Sequence, residues 1–485
     1  MFMMFQVNEI FLLKFIIVLP FIMGYFTIFT KNVKLVKQLT LFTVCIIFIS
    51  SLYLLFKFNP LIPGYQFVFH FLSNPSYDSN ILNLVNINNS FFFGIDNIAL
   101  IFILLTTFLF PLVILIGWSI NKQTIFFFQL LLILEGLLLI VFSTLNILLF
   151  YISFEFILIP MALMIGIWGS RQRKIRATYF FLLYTLLGSL PLLIAILAFY
   201  HIFGTFNILF YYPLNNNYLL WILIFLAFAV KTPLFPFHRW LPEAHVEAPT
   251  VGSVLLAGIL LKLGGFGFLR YLLPLLPEAS ATFKPLIYTL GILGIIYISI
   301  ITIIQTDLKK IIAYSSVAHM GLATMGLFTE NVIGVNGSIF VMISHGLVSA
   351  GLFFAIGVLY EQHHSRLIYY YGGLVNYMPL YVCFLGCVSF ANMGFPGTSA
   401  FIGEFLILQG LLIDNFIATF LAATGVVLSA IYSLFLFNRV SFGYPKQGYI
   451  KIYKDLSRLQ FYIGYIFVFY VILLGIYPNI VLYLL

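Results

Sequence analysis

Five ionisable side chains in this 485-residue chain stand where such groups are costly, deep inside long apolar runs: Glu135, Glu155, Lys231, Lys262 and Glu404. A charge at the centre of a bilayer costs at least ~2.5–3.5 kcal/mol, so each needs a partner or a use. Each lies about 10–13 residues from the end of its run, which at 1.5 Å per residue is roughly 15–20 Å deep, mid-membrane for a core ~30 Å thick. Two acids, two lysines and a late acid make a series of opposite charges with coupled protonation. A lysine in hydrocarbon keeps its proton while a carboxylate is near and gives it up when that carboxylate moves or is neutralised. This chemistry suits proton movement better than metal binding. Static salt bridges that fix helix register are the alternative, above all for Glu135.

Histidines supply groups that titrate near neutral pH. His319, in AYSSVAHMGLATMG, and His345, in VMISHGLVSAGLF, sit mid-run among Ser315, Ser316, Thr324 and Ser344. A lone membrane histidine can be a hydrogen-bonded core residue; beside the lysines and acids, the pair reads as a proton wire. His238, Glu243, His245 and Glu247 follow the seventh run on its basic side and read as an entrance or gating network rather than a metal site. His363 and His364, beside Arg366, read as a solvated loop.

The elements that must position these groups follow from composition. With 63% hydrophobic and 8% charged residues, the chain is not a soluble protein but one polytopic, all-α membrane domain. Apolar runs predict fourteen transmembrane helices near 9–29, 35–57, 95–119, 124–142, 145–168, 177–202, 218–238, 250–272, 284–304, 310–328, 333–360, 379–412, 415–437 and 460–484. The implied units are a three-helix segment at 1–119 with a long polar loop at 58–94, five helices at 120–272, five more at 284–437, and a basic loop with a last helix at 438–485.

Loop charge fits this count. Of 23 lysines and arginines, 17 fall in odd-numbered loops, so the basic loops share one face and both termini lie on the other. That placement explains the net charge of +9 without nucleic acid. Cys45, Cys383 and Cys387 lie in apolar runs without metal or disulfide spacing and read as small core residues. No cleavable presequence is apparent, and 57 Phe with 30 Tyr hint at an AT-rich organelle genome.

Two runs carry breakers. AVKTPLFPFHRW holds Pro233 and Pro236, and ANMGFPGTSAFIGEF holds Pro396 between Gly394 and Gly397, so both helices should be interrupted, either as simple kinks or around a cavity. At an offset of 160 residues, 177–200 aligns on 337–360 with seven identities, and Phe235-Pro236 falls on Phe395-Pro396. Five helices per copy would invert the second copy across the membrane, giving two half-channels with paired broken helices.

KTPLFPFHRWLPEAHVEAPTVGSVLLAGILLKLGGFG, QTDLKKIIAYSSVAHMGLATMG, ISHGLVSAGLFF and ANMGFPGTSAFIGEF together resemble the antiporter-like subunits of proton-pumping NADH:ubiquinone oxidoreductase, respiratory complex I, over about residues 91–440. The resemblance implies fourteen helices, two inverted five-helix repeats each with a broken helix, and a proton pathway along a hydrated axis. It places a glutamate–lysine pair at Glu155 and Lys231, a connecting lysine at Lys262, relay histidines at His319 and His345, an exit-side acid at Glu404 and an additional acid at Glu135. Sibling subunits carry lysine where Glu404 stands. Only one run follows the basic loop, so the long lateral helix of another sibling is missing from the pattern. FFFGIDNIAL, with Asp96, has Asn97 where the family usually has glycine.

The resemblance further implies a mitochondrial inner-membrane location, basic loops toward the matrix and both termini toward the intermembrane space. Partners would be other membrane-arm subunits, especially neighbouring antiporter-like ones, and phospholipids. NADH, FMN, iron–sulfur clusters and ubiquinone would belong to the complex, with no redox centre in this chain. An Mrp-type cation/proton antiporter component would share the same charged line, and a purely structural spacer is the third reading.

Overall fold

The computed structural model describes residues 2–70, 91–446, 449 and 453–485, so the middle of the 58–94 loop and Lys451 of the basic loop lie outside the described residues. The chain is mostly helical, because backbone donors and acceptors in hydrocarbon must be satisfied within the segment itself. Among the described residues, eleven helices are long and apolar enough to cross a membrane, from Ile10–Phe29 to Arg458–Ile476. Two shorter apolar helices, Tyr218–Lys231 and Pro379–Asn392, have 14 residues each. The Leu308–Leu327 and Ser399–Asp414 helices are more polar or shorter, the first because it carries Lys309, Lys310, four hydroxyl residues and His319. Helix starts are fixed by side chains that accept the first free N–H groups: Asn32, Asp96, Asn146, Asp307 and Asn331 all do so.

Both breaker segments interrupt their helices. After Lys231 the backbone leaves the helix, passes Pro233 and Pro236, and resumes as a 3₁₀ turn at Phe237–Arg239 and a helix at Trp240–Glu247. Pro233 offers no N–H to the Ala229 carbonyl, which takes the Leu234 N–H at 2.9 Å instead, and the Val230 carbonyl so left over accepts from Trp240 Nε1 at 2.9 Å. After Asn392, Gly394 and Gly397 turn the chain at φ +72° and +92°. This left-handed conformation is easy only without a Cβ.

Two helices, Thr250–Leu275 and Val332–His363, are enclosed by the others throughout their most apolar stretches, with only their ends exposed. They meet where glycines remove side chains: a Cβ on Gly346 would lie 3.0 Å from the Gly258 carbonyl oxygen. The Thr250–Leu275 helix is irregular, with π turns at Leu256–Leu260 and Phe268–Leu272 on either side of Lys262–Gly267. Such bulges re-aim side chains at the expense of regular hydrogen bonding and concentrate at functional places. Gly264 packs on the broken end of the Tyr218–Lys231 helix, where a Cβ would stand 2.4 Å from Thr232 Cγ2 and 2.8 Å from the Phe228 carbonyl oxygen.

Four expectations change. The fold is not purely α: Gln66–His70 pairs antiparallel with Phe92–Ile95, and the Phe69 and Phe93 rings stack at 5.3 Å. QFVFH and FFGI are too short for a helix, and paired rings suit a pleated ribbon. Cys383 and Cys387 are exposed on the outer side of their helix and Cys45 is half-buried, so none of the three is a core residue. Lys37, Lys309 and Arg366, counted among loop cations, are buried, because helix ends fold over them and offer carbonyls or a carboxylate. His363 is half-buried between the rings of Tyr371 and Tyr453; only its neighbour His364 fits a solvated loop.

Candidate functional site

The polar line is best formed around the enclosed pair of helices. Lys262 is fully buried, and its ammonium donates to the Ala257 carbonyl within the preceding π turn and lies 2.8 Å from His345 Nδ1. The His345 and His319 rings are 5.8 Å apart between centroids. On the far side, His319 Nδ1 lies 3.2 Å from Glu404 Oε1, and its Nε2 lies 3.2 Å from the Tyr432 hydroxyl. The order Lys262, His345, His319, Glu404 therefore crosses four helices by side-chain contact, with the single wider step between the two imidazoles. A small cavity of about 20 Å³, enough for one water, lies among His319, Glu404, Tyr432 and Ser429.

Each group in this stretch can both accept and pass a proton. A neutral imidazole takes one at one nitrogen and releases one from the other, so His345 and His319 can relay between an ammonium and a carboxylate without moving far. Glu404 is held against the turn at Gly394, where a Cβ would stand 2.6 Å from its Oε2. The left-handed turn thus serves two needs, reversing the chain and making room for the acid.

The earlier charges are arranged differently. Lys231, the last residue of its helix, is buried with its ammonium 4.3 Å from the centre of the Phe154 ring. Among the described residues, no carboxylate oxygen stands within ion-pair distance of it. Both Glu155 oxygens are buried without a hydrogen-bond partner, so the glutamate and lysine expected as a pair are not in contact here. The walls are aromatic: Phe150, Phe154, Phe228 and Phe266 pack ring against ring. Glu135 is fully buried and also unpartnered, on a helix whose Gly136 lies under the Phe21 ring of the first helix.

The four residues after the first break do not form one mouth. Glu243 is exposed and faces Lys310 at 3.5 Å, and His238 is buried beside Phe235. His245 is fully enclosed, stacked on Phe353 at 4.4 Å, with neither ring nitrogen hydrogen-bonded. Glu247 lies 3.9 Å from Arg366, both buried. Next to them, Lys309 donates to the Ala248 carbonyl at 2.7 Å, and Ser253, 3.5 Å from Lys309, donates to the His245 carbonyl. Pro233, Pro236 and Pro396 all fall within the two breaks. Sequence reasoning missed Tyr432 and the buried state of Lys309 and Arg366. Tyr432, between Ser429 and Ser433 in an apolar run, carried a readable polar signal. Among the described residues, no three His, Cys, Asp or Glu side chains come together to hold a metal ion.

This architecture and buried polar line have counterparts. The family model described as NADH:quinone oxidoreductase/Mrp antiporter, TM, matches residues 144–431, more than half of the chain. The curated NADH-ubiquinone oxidoreductase chain 4 of Chondrus crispus is 50% identical over 451 residues, 92% of this chain and 90% of that one. The protein of the same name from Arabidopsis thaliana is 47% identical over 477 residues, 96% and 94% of the two chains. A chain in the structure of respiratory complex I from Thermus thermophilus with bound NADH superposes with a TM-score of 0.84 at 30% identity, covering 96% of each chain. A chain of the Mrp complex from Dietzia sp. DQ12-45-1b gives 0.86 at 16% identity over 98% and 96%, a likeness of fold alone. The chain belongs to the NADH:quinone oxidoreductase/Mrp antiporter family and, within it, to the NADH-ubiquinone oxidoreductase chain 4 group.

Proposed function

We propose that this chain is a proton-translocating membrane-arm subunit of NADH:ubiquinone oxidoreductase. It moves protons through buried Glu, Lys and His while other subunits carry the NADH, FMN, iron–sulfur and ubiquinone chemistry. The observation that carries the reading is the continuous buried contact from Lys262 through His345 and His319 to Glu404. About half identity with chain 4 proteins over nine-tenths of both chains supports the same assignment.

The finer architecture is fourteen helices in two inverted five-helix repeats, at 120–272 and 284–437. Matching lengths support it: the Lys174–Phe203 and Val332–His363 helices have 30 and 32 residues, and each is followed by a 14-residue helix that ends in a break. In the mitochondrial inner membrane, the basic loops face the matrix and the termini face the intermembrane space, as positive charge retained on the untranslocated side requires. The partners are neighbouring antiporter-like subunits and phospholipids.

In this reading Glu155 and Lys231 form the switch. When an approaching charge brings them together, Lys231 is stabilised as the ammonium; when they separate, as here, its proton is free to move toward Lys262 and on to Glu404. Glu135 is the further acid of the first half, and His238, Glu243 and His245 gate the basic face. The test is Lys231→Met and Glu404→Gln in the assembled complex, with proton uptake and NADH oxidation measured together in sealed vesicles. Pumping and the oxidation coupled to it should both fall; an unchanged rate and stoichiometry in both variants refutes the mechanism. The second reading, an Mrp-type cation/proton antiporter component, is favoured by the matched family model, whose description spans both groups. It predicts Na⁺-dependent transport without NADH oxidation by the purified native protein, and no co-purifying flavin or iron–sulfur subunits.

A further inference from the structure

Far from the relay, a cavity of about 450 Å³ opens near the other end of the Thr250–Leu275 helix, lined by Arg270, Asp96, Tyr65, Tyr211, Tyr212 and Ile208 among others. Arg270 is 5% exposed, and its Nη1 lies 2.5 Å from Asp96 Oδ2. Among the described residues, its Nε and Nη2 are buried without a hydrogen-bond partner. One face of the guanidinium lies over the Tyr65 ring at 4.8 Å. Leaving charged donors unmade inside a protein is expensive, so a cavity bordered by unused guanidinium N–H groups is suited to an acceptor-rich occupant.

We propose that this cavity holds the zwitterionic headgroup of a phospholipid, its phosphate on Arg270 and its ammonium among Asp96 and the tyrosine rings. Charge balance selects that class. Arg270 and Asp96 already sum to zero, so an occupant with net negative charge would leave a charge uncompensated, whereas a phosphate joined to an ammonium enters neutral. Aromatic faces favour the ammonium, as in sites for quaternary amines. Depth agrees as well: Arg270 stands five residues before Leu275, about 7–8 Å from the helix end. The headgroup layer is roughly 5–8 Å thick on each face of a bilayer. Tyr212, 59% exposed, stands at the rim, where a headgroup would enter from the lipid. The inference rests on the chain spanning a membrane and not on the proton pathway.

The test uses the intact, assembled complex in lipid nanodiscs containing a phosphatidylethanolamine with a diazirine near the headgroup, followed by peptide mapping of the cross-links. Labelling is expected on 208–213 or 266–275. It should fall about tenfold or more in Arg270→Gln, the loss of a charge-assisted hydrogen bond. Because that variant leaves Asp96 unpaired and can misassemble, Ile208→Trp is the second: it fills the cavity and keeps the ion pair. It should lose the same cross-links while assembly on native gels and NADH oxidation stay unchanged. Unlabelled phosphatidylcholine should compete, and phosphatidylglycerol and millimolar inorganic phosphate should not. Labelling unchanged in both variants overturns the site. Competition by phosphatidylglycerol or by inorganic phosphate equal to that of phosphatidylcholine overturns the zwitterion assignment.

Discussion

The two halves of the buried line are built from the same residue types and satisfied in opposite ways. In the first, among the described residues, Glu135 and Glu155 oxygens have no hydrogen-bond partner and Lys231 lies over the Phe154 ring with no carboxylate at ion-pair distance, within phenylalanine walls. In the second, Lys262, His345, His319, Glu404 and Tyr432 touch in sequence. Unpaired charges in apolar surroundings respond strongly to any charge brought near, because little screens them. Hydrogen-bonded imidazoles conduct but respond weakly. The first half is therefore suited to receiving an electrostatic signal and the second to carrying protons, a division of labour within one chain.

The comparison breaks most sharply at its junction. Lys262→Met removes the ammonium in contact with His345 and should lower proton uptake about tenfold or more, with NADH oxidation falling alongside in coupled vesicles. Residual pumping near wild type there would mean that the relay does not pass through Lys262. Gly394→Ala comes next: it forces a Cβ into a left-handed turn, at ~1–2 kcal/mol, and displaces the Glu404 carboxylate. A several-fold loss of pumping with normal assembly is expected, and a full rate would show that the position of Glu404 is not critical. Tyr432→Phe deletes one contact to His319, worth about 0.5–1.5 kcal/mol, and should slow pumping by two- to tenfold without altering stoichiometry. Smallest is Glu135→Gln. Neutralising an unpartnered buried acid should leave assembly intact or slightly more stable, and turnover within about twofold. Turnover in that range would confine the signal to Glu155 and Lys231, and a large loss would make Glu135 essential to receiving it.

Rise per residue is fixed, so counting leads to one expected level for Glu135, Glu155, Lys231, Lys262 and Glu404. The two breaks were legible in the sequence, since proline and glycine act locally. Contact was not. Lys262 meets His345 across 83 residues of sequence, and a hydropathy pattern does not say which faces of two helices meet. The π turns around Lys262 leave no trace in an apolar run. Loop position misled for Lys309 and Arg366, because charge count reports which side of the membrane a residue is on and not whether the next helix covers it. The ribbon at Gln66–His70 carries no polar–apolar alternation, and three apolar residues in QFVFH are too few to stand out from a polar loop.

The enclosure of the Thr250–Leu275 and Val332–His363 helices has a mechanical consequence. Helices such as Phe416–Ser441 and Arg458–Ile476, with 28% of their apolar windows buried, take up changes in bilayer thickness by tilting or by deforming the lipid around them. The inner pair, with 100% of both windows buried against protein, presents no face to acyl chains, and the lipid group proposed beside it is the headgroup at Arg270. Lys262 and His345 therefore sit in a frame insulated from the membrane's own elasticity, and their spacing should stay constant in bilayers of different thickness while the outer ring adjusts.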